Sequence, residues 1–139
     1  MGRDDTFGDI WNPKAHFFSY GGYITLNIAI IDDVQQDLDT LGRAAQNYYE
    51  DRQIMVQIQS FSSPAAFWKA YTPGKYDLIF LDIYMDQDNG MDVAVRIREA
   101  GDSCSLIFVT SSDAFAVASY DVQAAYYLLK PHRQAYEGA

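Results

Sequence analysis

Three aspartates in this chain stand where an apolar run stops. Asp32 and Asp33 follow Leu26, Ile28, Ala29, Ile30 and Ile31, and Asp82 follows Leu78-Ile79-Phe80-Leu81. Two other polar residues end later apolar runs: Thr110 after Leu106-Ile107-Phe108-Val109, and Lys130 after Tyr126-Tyr127-Leu128-Leu129. Three carboxylates drawn together repel, so the cluster is unfavourable unless a cation neutralises it. A hard divalent ion helped by the Lys130 ammonium would do so, and Mg2+ fits: it takes one or two carboxylates, keeps waters and accepts a phosphoryl oxygen as a further ligand. A carboxylate beside Mg2+, with a lysine and a hydroxyl at hand, can be the nucleophile in phosphoryl transfer, giving an aspartyl phosphate. Asp82 stands alone and suits that role, whereas the Asp32-Asp33 pair suits holding the metal.

These residues meet only if the elements before them form one sheet. After the first run, Val34, Leu38, Leu41, Ala45 and Tyr48 recur at helical spacing and predict an amphipathic helix ending near Glu50-Asp51. Ile54, Val56 and Ile58 alternate with polar residues, as in a strand near a sheet edge. Ser62-Ser63-Pro64 is a helix start, and the short helix it opens is broken by Pro73-Gly74. Residues 78–81 and 106–109 are continuous apolar strands, which implies burial on both faces. Between them Met91 to Glu99 reads as a helix closed by Gly101. A short helix over roughly Ala114 to Tyr120 leads to the last strand, Ala125 to Leu129.

Five such strand-to-helix alternations imply an α/β fold, a doubly wound parallel sheet with helices on both faces. Right-handed crossovers favour the five-stranded flavodoxin-like order 2-1-3-4-5. In such sheets the active crevice lies outside the carboxyl ends of the strands, where all five polar residues sit. Asp37, Asp39 and Asp92 are expected on helix surfaces instead.

Composition narrows the function classes. The 139 residues carry 10 Lys+Arg against 19 Asp+Glu, a formal charge of −9, which disfavours a nucleic-acid groove. Hydrophobic residues at 49% and aromatics at 15% argue for a packed domain rather than disorder. The one cysteine, Cys104, has no intramolecular partner, and His16 and His132 lack ligand-like spacing, so a disulfide framework and a zinc site are not expected. With neither a membrane-length apolar run nor a signal-like start, the expectation is a cytoplasmic protein without membrane contact.

The runs IAIIDD, LIFLDIYMDQDNGMDVAVRIR, IFVTSSDAFAVASYDV and AYYLLKP, in this order and spacing, resemble the receiver domain of bacterial two-component response regulators. The resemblance covers about Leu26 to Pro131, and its last two segments look most like receivers of the LytR/AgrA (LytTR) type. It implies a CheY-like fold in which Asp82 is the phospho-acceptor. Asp32 and Asp33 would hold Mg2+ together with Asp82 and the backbone carbonyl of Tyr84. Thr110 would hydrogen-bond the phosphoryl group and Lys130 would pair with it. Thr110 and Tyr127 would be the switch residues, and Lys130-Pro131 would be a cis peptide. The implied partners are a sensor histidine kinase and a second copy, bound through the face of helix 4 and strand 5, with no direct nucleic-acid contact by this chain. The implied activity is self-catalysed phosphoryl transfer and autodephosphorylation rather than enzymatic turnover, controlling transcription through a LytTR-type DNA-binding output domain.

Taken singly, each residue has an ordinary reading. Asp32-Asp33 can cap a helix, Thr110 can be a solvated strand end, Lys130 a surface charge and Tyr127 a core residue; it is their joint order that makes the site. A haloacid-dehalogenase phosphatase also uses a strand-end aspartate but needs a second one two positions on, where this chain has Tyr84. No Gly-x-Gly-x-x-Gly follows the first strand, which removes a dinucleotide site. The remaining alternative is a pseudo-receiver acting only through protein contacts. Two departures from the family pattern are Asp86, where proline is usual, and Asn89, in place of a common aspartate before Gly90; both bear on loop stiffness. Tyr84 and Ser112 flank the site, where side chains tune hydrolysis.

The ends fit the pattern less well. Residues 1–23, with Phe7, Trp11, Phe17, Phe18, Tyr20 and Tyr23, are too aromatic for a flexible tail and are read as an N-terminal extension of unknown role. Residues 24–139 are read as the receiver domain, truncated in or before its final helix. An aromatic arm covering apolar surface left by a shortened last helix is the expectation that joins the two.

Overall fold

A computed structural model describes residues 6–10 and 24–130. The elements are α1 (Thr6–Ile10), β1 (Thr25–Ile31), α2 (Gln35–Glu50), β2 (Met55–Phe61), α3 (Pro64–Ala70), β3 (Leu78–Leu81), the two-residue strands β4 (Tyr84–Met85) and β5 (Asp88–Asn89), α4 (Gly90–Glu99), β6 (Ser105–Thr110) and β7 (Tyr126–Leu129). The main sheet is parallel with order β2-β1-β3-β6-β7, the 2-1-3-4-5 order read from the sequence. β4 and β5 form a separate antiparallel pair.

Period-two alternation divides the core between the two faces of the sheet. Leu26, Ile28, Ile30, Leu78, Phe80 and Ile107 pack under α1 and α2, through Leu38, Ala45 and Tyr49 of α2. Ala29, Ile31, Ile79, Leu81, Leu106 and Phe108 pack under α3 and α4, through Phe67, Val93, Ala94 and Ile97. β3 is buried along its whole length, whereas every residue of β2 keeps some exposure, as expected of an edge.

Local chemistry sets the helix ends. Ser63 caps α3 by accepting from the Ala66 amide at 3.2 Å, with Pro64 at the first helical position. Asn89 caps α4 by accepting from the Met91 amide at 2.7 Å, and Gly101, at φ +81°, follows its end in the left-handed region that glycine enters without strain. The α-helix expected over Ala114 to Tyr120 is instead a series of turns and a 3-10 helix over Ala118–Val122. Ser119 donates its hydroxyl to the Ala116 carbonyl at 2.6 Å, and the Tyr120 and Gln123 amides bond three residues back. Such local bonds compete with the i→i+4 ladder, and a segment this short has little helical cooperativity to oppose them.

α1 lies on the α2 face of the sheet. Phe7 and Ile10 are each 5% exposed, and the Phe7 ring centroid is 5.5 Å from Tyr48, 6.0 Å from Tyr49 and 5.9 Å from Phe80. Burying such a phenylalanine contributes roughly 1.5–3 kcal/mol. The Tyr126 hydroxyl donates to Asp9 at 3.2 Å, linking α1 to the edge strand β7. The aromatic residues from Trp11 to Tyr23, the Lys130-Pro131 bond and the expected short final helix lie outside the described residues. Among the described residues, no helix is long and apolar enough to cross a membrane.

Candidate functional site

Parallel register brings the strand ends level. Ile31 pairs with Leu81, and Leu81 with Phe108, so the next residues leave neighbouring strands side by side. The Asp32 amide donates to the Phe61 carbonyl at 3.1 Å and the Asp82 amide to the Ile31 carbonyl at 3.0 Å, which extends the ladder to the two aspartates. Their side chains are buried, whereas Asp33 is exposed. Carboxylate oxygens of Asp32, Asp33 and Asp82 all lie within 4.8 Å of one another. An all-oxygen donor set at this spacing suits one hard divalent cation.

Each carboxylate is oriented by backbone. Asp32 Oδ1 accepts from the Val34 amide at 2.9 Å, and Asp82 Oδ1 from the Tyr84 amide at 3.2 Å. Asp33 Oδ2 accepts from the Asp86 amide at 2.7 Å. A proline at position 86 would have no N–H to give, so the departure from the family pattern supplies a hydrogen bond that holds Asp33. Tyr84 begins the β4–β5 pair, which places its backbone next to Asp82. Gly90 closes that turn with its amide on the Ile83 carbonyl at 2.8 Å, and a Cβ there would overlap the Asp82 carbonyl. The sequence marks Gly90 only as the end of the polar loop before the helix, whereas in the structure it lets α4 approach the backbone of Asp82 closely.

Lys130 reaches across from the far edge of the sheet. Its amide donates to the Thr110 carbonyl at 2.7 Å, extending the β6–β7 pairing, and its ammonium contacts Asp32 at 2.7 Å, Asp37 at 2.8 Å and Asp82 at 3.0 Å. Burial alone would favour the neutral amine, but the three carboxylates outweigh it and hold the lysine pKa above its ordinary value. Asp32 behaves oppositely. Burial raises its pKa, and the bonds from Lys130 and the Val34 amide do not cancel that effect. The site therefore carries more carboxylate than it neutralises. Asp37, expected on the helix surface, instead takes part through the first turn of α2; its spacing of one helical turn from Asp33 was the available signal.

Thr110 is fully buried and its Oγ1 has no hydrogen-bond partner among the described residues. A buried hydroxyl left unpaired costs about 1–3 kcal/mol unless a ligand or water satisfies it. Its place at the end of β6, beside β3, suits an incoming oxygen acceptor. Tyr127, one strand further, is half-buried against Phe108, with ring centroids 5.9 Å apart, and donates its hydroxyl to the Ser112 carbonyl at 2.6 Å. Ser112 in turn caps the following turn by accepting from the Ala114 amide at 3.1 Å. Thus Asp32, Asp33, Asp82 and Lys130 come into one cluster, and Thr110 and Tyr127 stand on the adjoining strands.

Comparison with known proteins places this geometry. Two curated relatives are the sensory transduction protein LytR of Staphylococcus saprophyticus, 41% identical over 59 residues (42% of this chain, 23% of the relative), and the transcriptional regulatory protein LytR of Staphylococcus aureus, 35% identical over 60 residues (43% of this chain, 24% of the relative). The matched segment thus spans about a quarter of the length of those relatives. Among solved structures, response regulator TrrA of Thermotoga maritima, in complex with Mg2+-BeF, superposes with a TM-score of 0.65 at 22% identity, covering 81% of this chain and 93% of that one. The non-phosphorylated HemR receiver domain of Leptospira biflexa gives 0.63 at 19% identity, covering 81% and 87%. These likenesses establish the fold. The family model for the response regulator receiver domain matches residues 28–136, which takes in the acidic pocket, Thr110, Tyr127 and Lys130, and the chain belongs to that family.

Proposed function

We propose that the chain accepts a phosphoryl group from a sensor histidine kinase onto Asp82 and relays the event through a protein–protein surface. The observation that carries this reading is the coincidence of an under-neutralised acidic triad with a buried, partnerless hydroxyl on the next strand. Oxygens of Asp32, Asp33 and Asp82, with the Tyr84 carbonyl, would hold Mg2+, which supplies charge neutralisation for the transferring group when bound. An Asp82 oxygen attacks phosphorus, the new P–O bond forms as the P–N bond to the kinase imidazole breaks, and the imidazole leaves with a proton. Lys130 and the Thr110 hydroxyl receive the charge of the new phosphoryl oxygens. Water later cleaves the acyl phosphate, so the domain is a self-modifying signalling module rather than an enzyme with turnover on a separate substrate.

The group added to Asp82 carries about −1.5 to −2 charges, enough to draw Thr110 and Lys130 and with them the ends of β6 and β7. Tyr127 would break its bond to Ser112 and turn further inward as that loop moves. Val117, Tyr120 and Leu129 are exposed around this segment at 82%, 80% and 57%, and form the face through which we place a second copy or an output domain. The LytR relatives support a LytTR-type DNA-binding output, and hence transcriptional control by a cytoplasmic regulator. Incubation with Mg2+ and acetyl phosphate followed by intact mass tests the reading. One added phosphoryl group, absent from Asp82→Asn, is expected; no modification, or equal modification of both proteins, would replace it with a receiver that works only through protein contacts.

A further inference from the structure

Lys130 has three N–H bonds to give, and each is aimed at a different carboxylate. Two of these, on Asp32 and Asp82, belong to the strand-end triad. The third, on Asp37 at 2.8 Å, leads out of the triad to α2, which packs mainly over β1 and β2, toward the other edge of the sheet from β7. Asp37 is the third residue of α2, and its side chain keeps 34% exposure, against 15% for Lys130 and 6% for Asp32. It is therefore the most solvated of the three carboxylates on the ammonium and the one not oriented toward a shared cation.

We propose that Asp37 is a positioning residue for the acceptor reaction, holding the Lys130 ammonium toward α2 until the phosphoryl group on Asp82 competes for it. The inference rests on the phospho-acceptor reading above and extends it to how readily that reaction begins. Before transfer, Asp37 occupies a donor that the entering phosphoryl oxygens need, and its charge opposes an anionic phosphoryl donor. Both effects raise the donor concentration required without changing the nucleophile. After transfer, the phosphoryl charge outweighs one solvated carboxylate, the Asp37 bond is released, and Lys130 moves with β7 toward the modified aspartate. The link between α2 and β7 thus acts as a threshold between the resting and modified arrangements.

The test compares Asp37→Asn, Asp37→Glu and Asp39→Asn with the wild type. Asp39 serves as control because it lies two residues on, exposed, and among the described residues accepts a side-chain hydrogen bond only from Gln35 on its own helix. In Asp37→Asn the acetyl phosphate concentration for half-maximal phosphorylation should fall about two- to fivefold, the range of one partly exposed ion pair, with the maximal rate changed less than about twofold. Asp37→Glu should stay near wild type, and Asp39→Asn should match it. A second readout needs neither metal nor phosphate: exchange of the Lys130 ammonium protons, followed on 15N-lysine-labelled protein, should quicken several-fold in Asp37→Asn alone. Wild-type values for both quantities in Asp37→Asn, or a change in only one of them, on a protein that phosphorylates at Asp82 would overturn the proposal. An Asp37-dependent exchange rate on a wild type that accepts no phosphoryl group would leave the tether in place and remove the phospho-acceptor reading instead.

Discussion

The two ends of the sheet bury aspartates to nearly the same depth and leave them in opposite electrostatic states. At the carboxyl ends of the strands, Asp32 is 5% and Asp82 3% exposed; at the other end, Asp102, just before β6, is 6% exposed. Asp102 Oδ2 accepts from the Tyr71 hydroxyl at 2.7 Å and the Gly74 amide at 3.1 Å, and Oδ1 from the Cys104 amide at 3.0 Å. Burial works against its charge, but these donors outweigh burial and lower its pKa, whereas burial prevails at Asp32 and raises it. Arg98 completes the far end by donating to the Asp102, Val122 and Gln123 carbonyls. One carboxylate is saturated by its own protein. The other stands in a cluster with surplus acid and an unpaired hydroxyl beside it, the condition in which a buried polar site is completed by something from outside.

Stability should separate the two ends most sharply. Asp102→Ala strands three donors and should cost about 2–4 kcal/mol in urea unfolding. Asp32→Asn keeps an acceptor for the Val34 amide and relieves carboxylate crowding, so without metal it should change stability by less than about 1 kcal/mol. Equal costs would break the comparison. Mg2+ at a hundredfold excess over its Kd should stabilise the wild type by about 2.7 kcal/mol by mass action. That gain should persist in Asp102→Asn and largely vanish in Asp33→Asn and Asp82→Asn.

Acid titration of the metal-free protein sharpens the contrast, because the two groups contribute with opposite sign. Asp102 has a folded pKa below its unfolded value, so its stabilisation is present above about pH 3.9 and lost as pH falls through the lower, folded value. Asp32 has a raised folded pKa, so the folded state takes up its proton first and gains stability as pH falls from that value toward the unfolded one. Unfolding free energy measured from neutral pH downward should therefore fall less steeply in acid for Asp102→Asn, and more steeply for Asp32→Asn, than for the wild type. The last contrast concerns hydroxyls. Tyr71→Phe removes a donor from Asp102 and should cost about 1 kcal/mol, whereas Thr110→Val removes an unpaired buried hydroxyl and should leave the metal-free protein at least as stable as the wild type, with a gain of up to about 1–3 kcal/mol.

The parts of this account that are legible in the sequence are those carried by short-range pattern. Continuous apolar runs mark β3 and β6, alternation marks β2, and the polar residue that stops each run marks the site, because parallel strands must end level. Ser63-Pro64 announces its own helix. What local pattern does not carry is contact across long separations: Asp37 reaches Lys130 over 93 residues, and Tyr71 reaches Asp102 over 31. The Asp86 contribution is a backbone N–H, invisible as a side-chain type, and the need for glycine at position 90 depends on how closely α4 approaches the Asp82 carbonyl. The 3-10 helix at Ala118–Val122, where the sequence predicts a short helix over roughly Ala114 to Tyr120, depends on one serine whose hydroxyl turns back onto the chain, which side-chain pattern does not show.

The most direct measurement of the central claim is a residue-resolved 1H–15N comparison of the protein with and without Mg2+ and beryllofluoride, which mimics the phosphoryl group. The predicted result is large shifts at Asp82, Thr110, Tyr127 and Lys130, with the amides of Gly74 and Cys104 around Asp102 nearly unmoved. Absence of any response at Thr110 and Lys130, or shifts of equal size at both ends of the sheet, would contradict it.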